Sequence, residues 1–546
     1  MKRAAAIIFR SIILILTGVT IGLLINGQNF PGQHLGYPFA NDNKLEKTLQ
    51  LVKDKYVDTV NIARVEGEAI NNILQNLDPH SLYLPPQQAQ SINERLEGEF
   101  NGIGIEYQLL RDTMFVTQVY AGGPAAKAGV RVGDRVMTVD NKPFSGTSLK
   151  PELINKTLRG EKGTTLTLGV TDMAGKAPLK QCLITRGHVD LSSLDAAYMA
   201  APKIGYIKLG KFAATSDTDF RAALQKLKAS GLKNLVIDLR GNGGGYLSAA
   251  TSLADEFLPK GKLIVYTKGV HERRTDYFAS DSGMFQQGNL AVLIDEYSAS
   301  ASEILAGCLQ DLDRATLVGR RSFGKGLVQE QFPFGDGSAI NLTVARYYTP
   351  SGRSIQKSYK NGVDSYHNEI ADRMQKGELY SAANTLKDSS FRKVSYYHTS
   401  KGKKVYSGGG IMPDIFIPAD TNTNTPLIQD LNQQQLFTAF LIDRLYPIFK
   451  KYTTDDDFIR NFQVSDQLFT DFIVYSSATI KEMDSRELRE SKPNIKKLLK
   501  AYMARFMWGD TAYYRVVNND DPAVMKAVGI LKQQKPVLLA NRYPNN

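Results

Sequence analysis

The sequence predicts a multidomain α/β protein, its α/β core preceded by a small β-rich unit and flanked by helical segments. Three observations predict this. The chain has 546 residues, too many for a single hydrophobic core. From about Gly187 to Pro418, apolar strand-like runs alternate with amphipathic helical ones, the pattern of helices packed on a sheet. Residues 99–186 read differently, as short strands between glycine turns with one short helix near Ala125–Ala128.

In chain order, the N-terminus comes first. Lys2, Arg3 and Arg10 precede Ser11–Ile25, a stretch without charge. Counted back to Ala4 it has 22 residues, enough to span a bilayer if Arg10 snorkels to the headgroups. Positive charge before the span predicts a cytoplasmic N-terminus and the rest of the chain outside. A cleaved signal peptide is the competing reading. The next residues, Asn26, Gly27 and Gln28, offer no A-x-A-like site, so residues 1–26 are read as an uncleaved membrane helix. Residues 27–40 read as a linker and 41–98 as helical, clearest at Leu45–Val52 and Val65–Leu77 and ending at Asp78-Pro79.

The core runs are IGYIKLG (204–210), NLVIDLR (234–240), KLIVYT (262–267), LAVLID (290–295) and ATLVG (315–319), with helical segments between them. Residues 353–407 are polar and rich in Lys, Ser and Tyr. Residues 421–546 carry long helical periodicity, as in QDLNQQQLFTAFLIDRLYPIFKKY from Gln429 to Tyr452. The net charge of +12 is spread along the chain with no basic cluster interleaved with aromatics, so it reads as a basic surface and not a nucleic-acid site. Cys182 and Cys308 lie far apart, match no metal spacing and are expected as buried free thiols.

Three clusters in the α/β region could carry chemistry. The first is Asp238-Leu239-Arg240-Gly241-Asn242-Gly243-Gly244-Gly245, between a strand and a helix. Its glycines permit a tight turn and free N–H groups for an anion or an oxyanion. A nucleotide-phosphate loop would need G-x-G-x-x-G or a following G-K-[ST], and neither is present. The second is Ser298-Ala299-Ser300-Ala301-Ser302-Glu303, on a strand-to-helix turn. Ser followed by Glu resembles a helix-capping box, and Ser302 fits the cap, which leaves Ser300 free. The third is Gly324-Lys325-Gly326-Leu327-Val328-Gln329. A serine nucleophile needs a base, and a buried lysine can lose its proton near neutral pH. His34, His80, His188, His271, His367 and His398 lie in none of the clusters, although a Ser-His-Asp triad built from distant segments stays open.

Together the motifs resemble the C-terminal processing peptidases, also called tail-specific proteases. The resemblance covers roughly residues 41–420 and rests on DPHSLYL (78–84), GIGIEY (102–107), AGGPAAKAGVRVGDRV (121–136), DLRGNGGG (238–245), SASASEI (298–304), SFGKGLVQ (322–329), YTPSGRSIQ (348–356) and GGGIMPDI (408–415). It implies a serine protease core at 187–420 and a PDZ domain at 99–186. It implies Ser300 as nucleophile, Lys325 as base 25 residues on, and Gln329 holding the lysine amine. It also implies an oxyanion hole from the N–H groups of Gly244 and Ala301. The loop Gly102, Ile103, Gly104, Ile105 would receive a peptide carboxylate while the peptide adds as a strand.

The expected activity is therefore endopeptidase action near flexible, apolar C-termini of proteins, without metal, nucleotide or other cofactor. The resemblance and the N-terminal segment imply a bacterial inner-membrane protein with its catalytic part in the periplasm or outside the cell. A homo-oligomer or an adaptor partner is left open. Two rivals are a catalytically silent PDZ-type scaffold and a hydrolase of small esters or lipids. Intact Ser300, Lys325 and Gln329 speak against the first, and a unit suited to peptide tails against the second. Two departures from the commonest pattern have no assigned role: an insertion at about 357–407 and the helical extension 421–546.

Overall fold

The computed structural model describes residues 43–146, 149–381, 395–421, 423, 425–445 and 451–533. The predicted membrane segment Ser11–Ile25 lies outside them. Among the described residues, no helix is long and apolar enough to cross a membrane. The chain divides into two compact units, Met1–Ala69 and Ile70–Asn546. In the first unit the helix Lys44–Lys55 has no buried residue.

The core is a six-stranded sheet in the order Leu194–Ala201, Ile204–Leu209, Asn234–Asp238, Leu290–Ile294, Thr316–Gly319, Ile415–Phe416. The first pair is antiparallel and the others are parallel. Strand parity sorts side chains to two faces. Ile207, Leu209, Leu235, Ile237, Leu290, Val292 and Ile294 pack with helices Ser216–Ala229, Leu247–Asp255 and Ala301–Asp311. Tyr206, Val236, Ala291, Leu293 and Val318 pack with Ala523, Val524, Ala527 and Leu531. The last helix among the described residues, Pro522–Gln533, thus covers the second face of the core sheet.

A second sheet holds strand Ala339–Tyr348 between Leu327–Pro333, Leu82–Leu84 and Leu263–Lys268. Its register sets Gln329 opposite Thr343 and Leu82 opposite Asn341. This pairing carries the DPHSLYL segment to the loop that holds Lys325.

The β-rich unit is a sheet in the order Ile105–Leu110, Thr113–Val119, Arg135–Val139, Thr165–Thr171, Lys180–Thr185, with helices Pro124–Lys127 and Pro151–Leu158. A two-stranded neck, Glu99–Gly102 against Gly187–Asp190, joins it to the core. Cys182 and Cys308 are buried and free.

The helical extension has its own core, in which Phe437 stacks on Phe472 and Tyr502 with ring centroids 5.0 Å apart in both pairs. The long periodic stretch from Gln429 is not one helix. It breaks into Pro426–Gln433 and Leu436–Phe440, with Gln435 at φ +53°, and continues as a π-helical turn, Leu441–Leu445. The break lets Leu431 and Phe437 both face the aromatic core.

Candidate active site

The glycine-rich turn and the serine turn follow adjacent parallel strands, Asn234–Asp238 and Leu290–Ile294, so they emerge side by side. Gly244 lies against the serine turn at φ +102°, where a Cβ would sit 2.8 Å from Ser300 Cβ and 2.9 Å from Ala301 N. Only glycine permits that approach and that backbone angle. The Gly244 N–H donates to Asn242 Oδ1 at 2.9 Å. Arg240 of the same turn pairs with Asp238 at 2.6 Å and with Asp521 of the extension at 2.9 Å.

Ser300 occupies φ +56°, ψ −116°, immediately before helix Ala301–Asp311. A non-glycine residue held there is strained, and such strain collects at functional turns. Ala301 is the first helical residue, so its N–H has no acceptor within the helix. The expected cap, Ser302, proves to be inside the helix. The cap position belongs to Ser300, whose N–H donates to Glu303 Oε2 at 3.0 Å. Buried hydroxyls need acceptors. Ser302 finds Asn242 O at 2.8 Å and Ser298 finds Leu239 O at 2.8 Å, so the two flanking serines stitch the serine turn to the glycine turn.

Lys325 joins this assembly through Glu303. The buried carboxylate accepts from Ser300 N (3.0 Å), Ser322 Oγ (2.5 Å), Gly324 N (2.7 Å) and Lys325 N (2.8 Å). The Tyr347 hydroxyl lies 2.6 Å from Lys325 O and 3.1 Å from Ser300 O. One carboxylate and one phenol therefore fix the Ser300 and Lys325 backbones relative to each other. Burial pushes Glu303 up to about 7, against the pull of its four donors.

Burial lowers the Lys325 amine to about 8, with Glu303 and Asp78 opposing the shift through their charges. His80 also feels the Lys325 charge, so the fold brings one histidine to a cluster that the sequence showed without any. It is a poor proton acceptor. Burial first, and then the Lys325 charge, push it down to about 3, and its Nε2 lies 2.8 Å from Tyr366 Oη.

Gln329 reaches the Asp78 carboxylate indirectly. Its Nε2 donates to Thr343 Oγ1 at 3.2 Å, and Thr343 Oγ1 donates to Asp78 Oδ1 at 3.0 Å. Asp78 also accepts from Ser81 N and Oγ at 2.9 and 2.6 Å.

The insertion braces the lysine loop from the other side. Arg373 donates to Arg321 O (2.8 Å), Ser322 O (3.2 Å) and Glu378 Oε1 (3.0 Å). Arg321 forms a fork on Glu378, with both bonds at 2.7 Å. The Lys357 ammonium lies 3.8 Å from the Phe323 ring centroid and 3.1 Å from Glu369 Oε2. The polar composition of 353–407 thus includes a buried ion network against residues 321–323.

The Gly102–Ile105 loop lies on the β-rich unit. Gly102 ends the neck strand, Ile103 is buried, Gly104 is at φ +79°, and Ile105 starts the Ile105–Leu110 strand. Among the described residues no group of three His, Cys, Asp or Glu side chains could hold a metal ion.

The arrangement combines a strained serine at a helix start, a lysine of reduced basicity and glycine-turn amides. Sequence reasoning missed Glu303 as the joint between the first two, together with Asp78, Thr343 and Tyr347. The S-x-x-E pattern and the DPHSLYL motif were the available signals, whereas Tyr347 had none.

Comparison with known proteins matches residues 203–365 to peptidase family S41 and 101–172 to the PDZ domain family. Residues 427–509 match a family of unknown function. The chain is 36% identical over 354 residues to a carboxy-terminal-processing protease of Bartonella bacilliformis, covering 64% of this chain and 80% of that one. It is 33% identical over 354 residues to a "Probable CtpA-like serine protease" of Staphylococcus aureus, covering 64% and 68%. Among solved structures, a photosystem II D1 C-terminal processing protease is 29% identical, with 58% and 84% coverage and a TM-score of 0.32.

Proposed function

The chain belongs to peptidase family S41, among its carboxy-terminal-processing serine-type peptidases, and from that premise we propose that Ser300 and Lys325 are its catalytic pair and act near the C-terminal tails of protein substrates. The observation that carries this reading is the anchoring of both residues on Glu303, beside a lysine amine lowered to about 8.

Neutral Lys325 takes the proton of Ser300 Oγ as the oxygen attacks the scissile carbonyl. Ala301 N–H and Gly244 N–H receive the developing oxyanion. Gly244 does so by exchanging Asn242 Oδ1 for a fully charged acceptor, a stronger partner than an amide oxygen. The lysine ammonium then protonates the leaving amine as the C–N bond breaks. Water, deprotonated by the same lysine, releases the acyl group from Ser300. Gln329 acts as a positioning residue, steadying Asp78 through Thr343 and so the charge that Lys325 feels.

The Gly102–Ile105 loop takes the tail's carboxylate, and the tail adds along Ile105–Leu110. Lys2, Arg3 and Arg10 before the uncharged Ser11–Ile25 support a single-pass anchor with the catalytic part outside the cytoplasm.

The test is mass analysis of products from a protein bearing a disordered tail. Ser300→Ala, Lys325→Ala and Lys325→Arg should each abolish cleavage, and the double alanine variant should be no worse than either single one. Normal cleavage by Lys325→Ala with a dead histidine variant would replace the pair with a conventional triad. Peptides with a free C-terminus should bind better than their amides by roughly 1.5–3 kcal/mol. Equal binding would remove the carboxylate role from the loop.

A further inference from the structure

We propose that the C-terminal helical region forms a second wall of the tail-binding groove, selecting apolar residues upstream of the substrate's last few. The inference rests on the reading that tails add along Ile105–Leu110.

Among the described residues that strand lies at the edge of its sheet, paired on one side only, with Thr113–Val119. An unpaired edge is a template for an added strand. Its side chains alternate. Ile105, Tyr107 and Leu109 pack on the β-rich unit's own core. Gln108 and Leu110 turn to the helical region: Leu110 packs with Ile442 and Phe506, and Gln108 Nε2 donates to Gln435 O at 3.2 Å. Arg111, just past the strand, pairs with Asp443. The helical region therefore grips the strand's outer face and far end.

It does not fill the space alongside. A cleft of about 1470 Å³ remains, lined by Leu109 and Pro151 of the β-rich unit and by Gln434, Phe440, Leu468 and Val474 of the helical region. It exceeds the ~300–1,000 Å³ of pockets for small ligands and suits a length of extended chain. Val474 is 67% exposed, although its helix Asp466–Ser476 buries Phe469 and Phe472 on the other face. Its apolar surface is left largely open and lines the cleft.

Direction follows from the loop. A carboxylate held at Gly102–Ile105, where the strand starts, sends the upstream residues toward Leu110. At ~3.3 Å per residue, about four residues reach Leu109. The residues after those enter between the strand and the helical wall, where Phe440, Leu468 and Val474 offer apolar contacts. The polar turn Gln433–Gln435 offers partners for the peptide backbone. The break at Gln435 is what turns this segment toward the strand.

The experiment uses the full chain carrying Ser300→Ala in detergent, with fluorescein-labelled peptides sharing one apolar C-terminus. One peptide has about four residues and the other about ten, with leucine at alternate upstream positions, and each is made as acid and amide. The long acid should bind about tenfold tighter than the short one. Val474→Asp and Ala478→Asp, at exposed cleft positions, should reduce that gain to about twofold or less, with short-peptide affinity and melting temperature unchanged. A long peptide binding no tighter than the short one overturns the proposal, as does a gain that survives both variants. Variants that tighten both peptides also overturn it, because the wall would then be a lid. If amidation changes nothing while the length gain and its loss in the variants persist, the carboxylate reading fails and the wall stands.

Discussion

The insertion at 357–407 and the extension beyond residue 421 are both additions to one α/β core, and they are held by opposite means. The insertion is wired in by buried charge: Arg373 and Arg321 share Glu378, and Arg373 bonds two carbonyls of the strand exit that leads to Lys325. The extension is held by apolar area, through the Phe437–Phe472–Tyr502 stack and the burial of Ala523, Val524, Ala527 and Leu531 on the core sheet. Hydrogen-bonded ion pairs are directional and fix positions, whereas the hydrophobic effect is non-directional and scales with the area buried. The first suits the proposed catalytic loop and the second the proposed binding wall.

Substitutions at five residues break or sharpen that contrast. The largest effect belongs to Lys325, through which any influence of the insertion must act. Lys325→Ala should lower turnover by about 10²–10⁴-fold, and Lys325→Arg should not restore it, because guanidinium keeps its proton. Substantial Lys325→Arg activity, measured at pH 9 on a tailed protein, would show that the amine is not the base.

The next pair sets one addition against the other. Arg373→Met leaves Glu378 and two carbonyls short of partners and should cost about 3–5 kcal/mol. It should also lower kcat and move the pH midpoint. Phe437→Ala should cost a similar ~3–5 kcal/mol in stability through a core cavity but leave that midpoint in place. Melting curves with pH–rate profiles on both variants check this; a shifted midpoint in Phe437→Ala would erase the contrast.

A smaller effect is expected at Asp78. With Lys325 as the proposed base, activity should rise with pH through a midpoint near 8. The Asp78 charge stabilises the ammonium and raises that value, so Asp78→Asn should move the midpoint lower. An upward shift would mean that lost hydrogen bonds to Ser81 and Thr343 outweigh the charge. The smallest effect is Ser302→Ala, which removes one bond to Asn242 O and should cost about 1 kcal/mol while activity remains. Complete inactivity in a folded Ser302→Ala protein would give the wrong serine the leading role.

Much of the site was legible because its motifs are local. The DLRGNGGG, SASASE and GKG segments each declare a turn or a helix start within a few residues. The Ser302 cap was misread by two residues, since S-x-x-E fits Ser300 with Glu303 and the buried Ser302 is needed to tie two turns together. The helical periodicity from Gln429 is borne out as helix, but it does not show the break at Gln435. Periodicity records which residues are apolar, but not that Leu431 and Phe437 must meet one core across a kink.

The sequence by itself determined the alternating strands and helices of the α/β core and the motifs that supply the candidate reactive groups, because these follow from spacing and residue chemistry. Only the tertiary structure decided what surrounds Lys325. Glu303 and Asp78 come from segments 22 and 247 positions away, and the insertion closes over the same loop. An amine's basicity depends on its burial and on charges that are near in space, and neither is written in its neighbours along the chain.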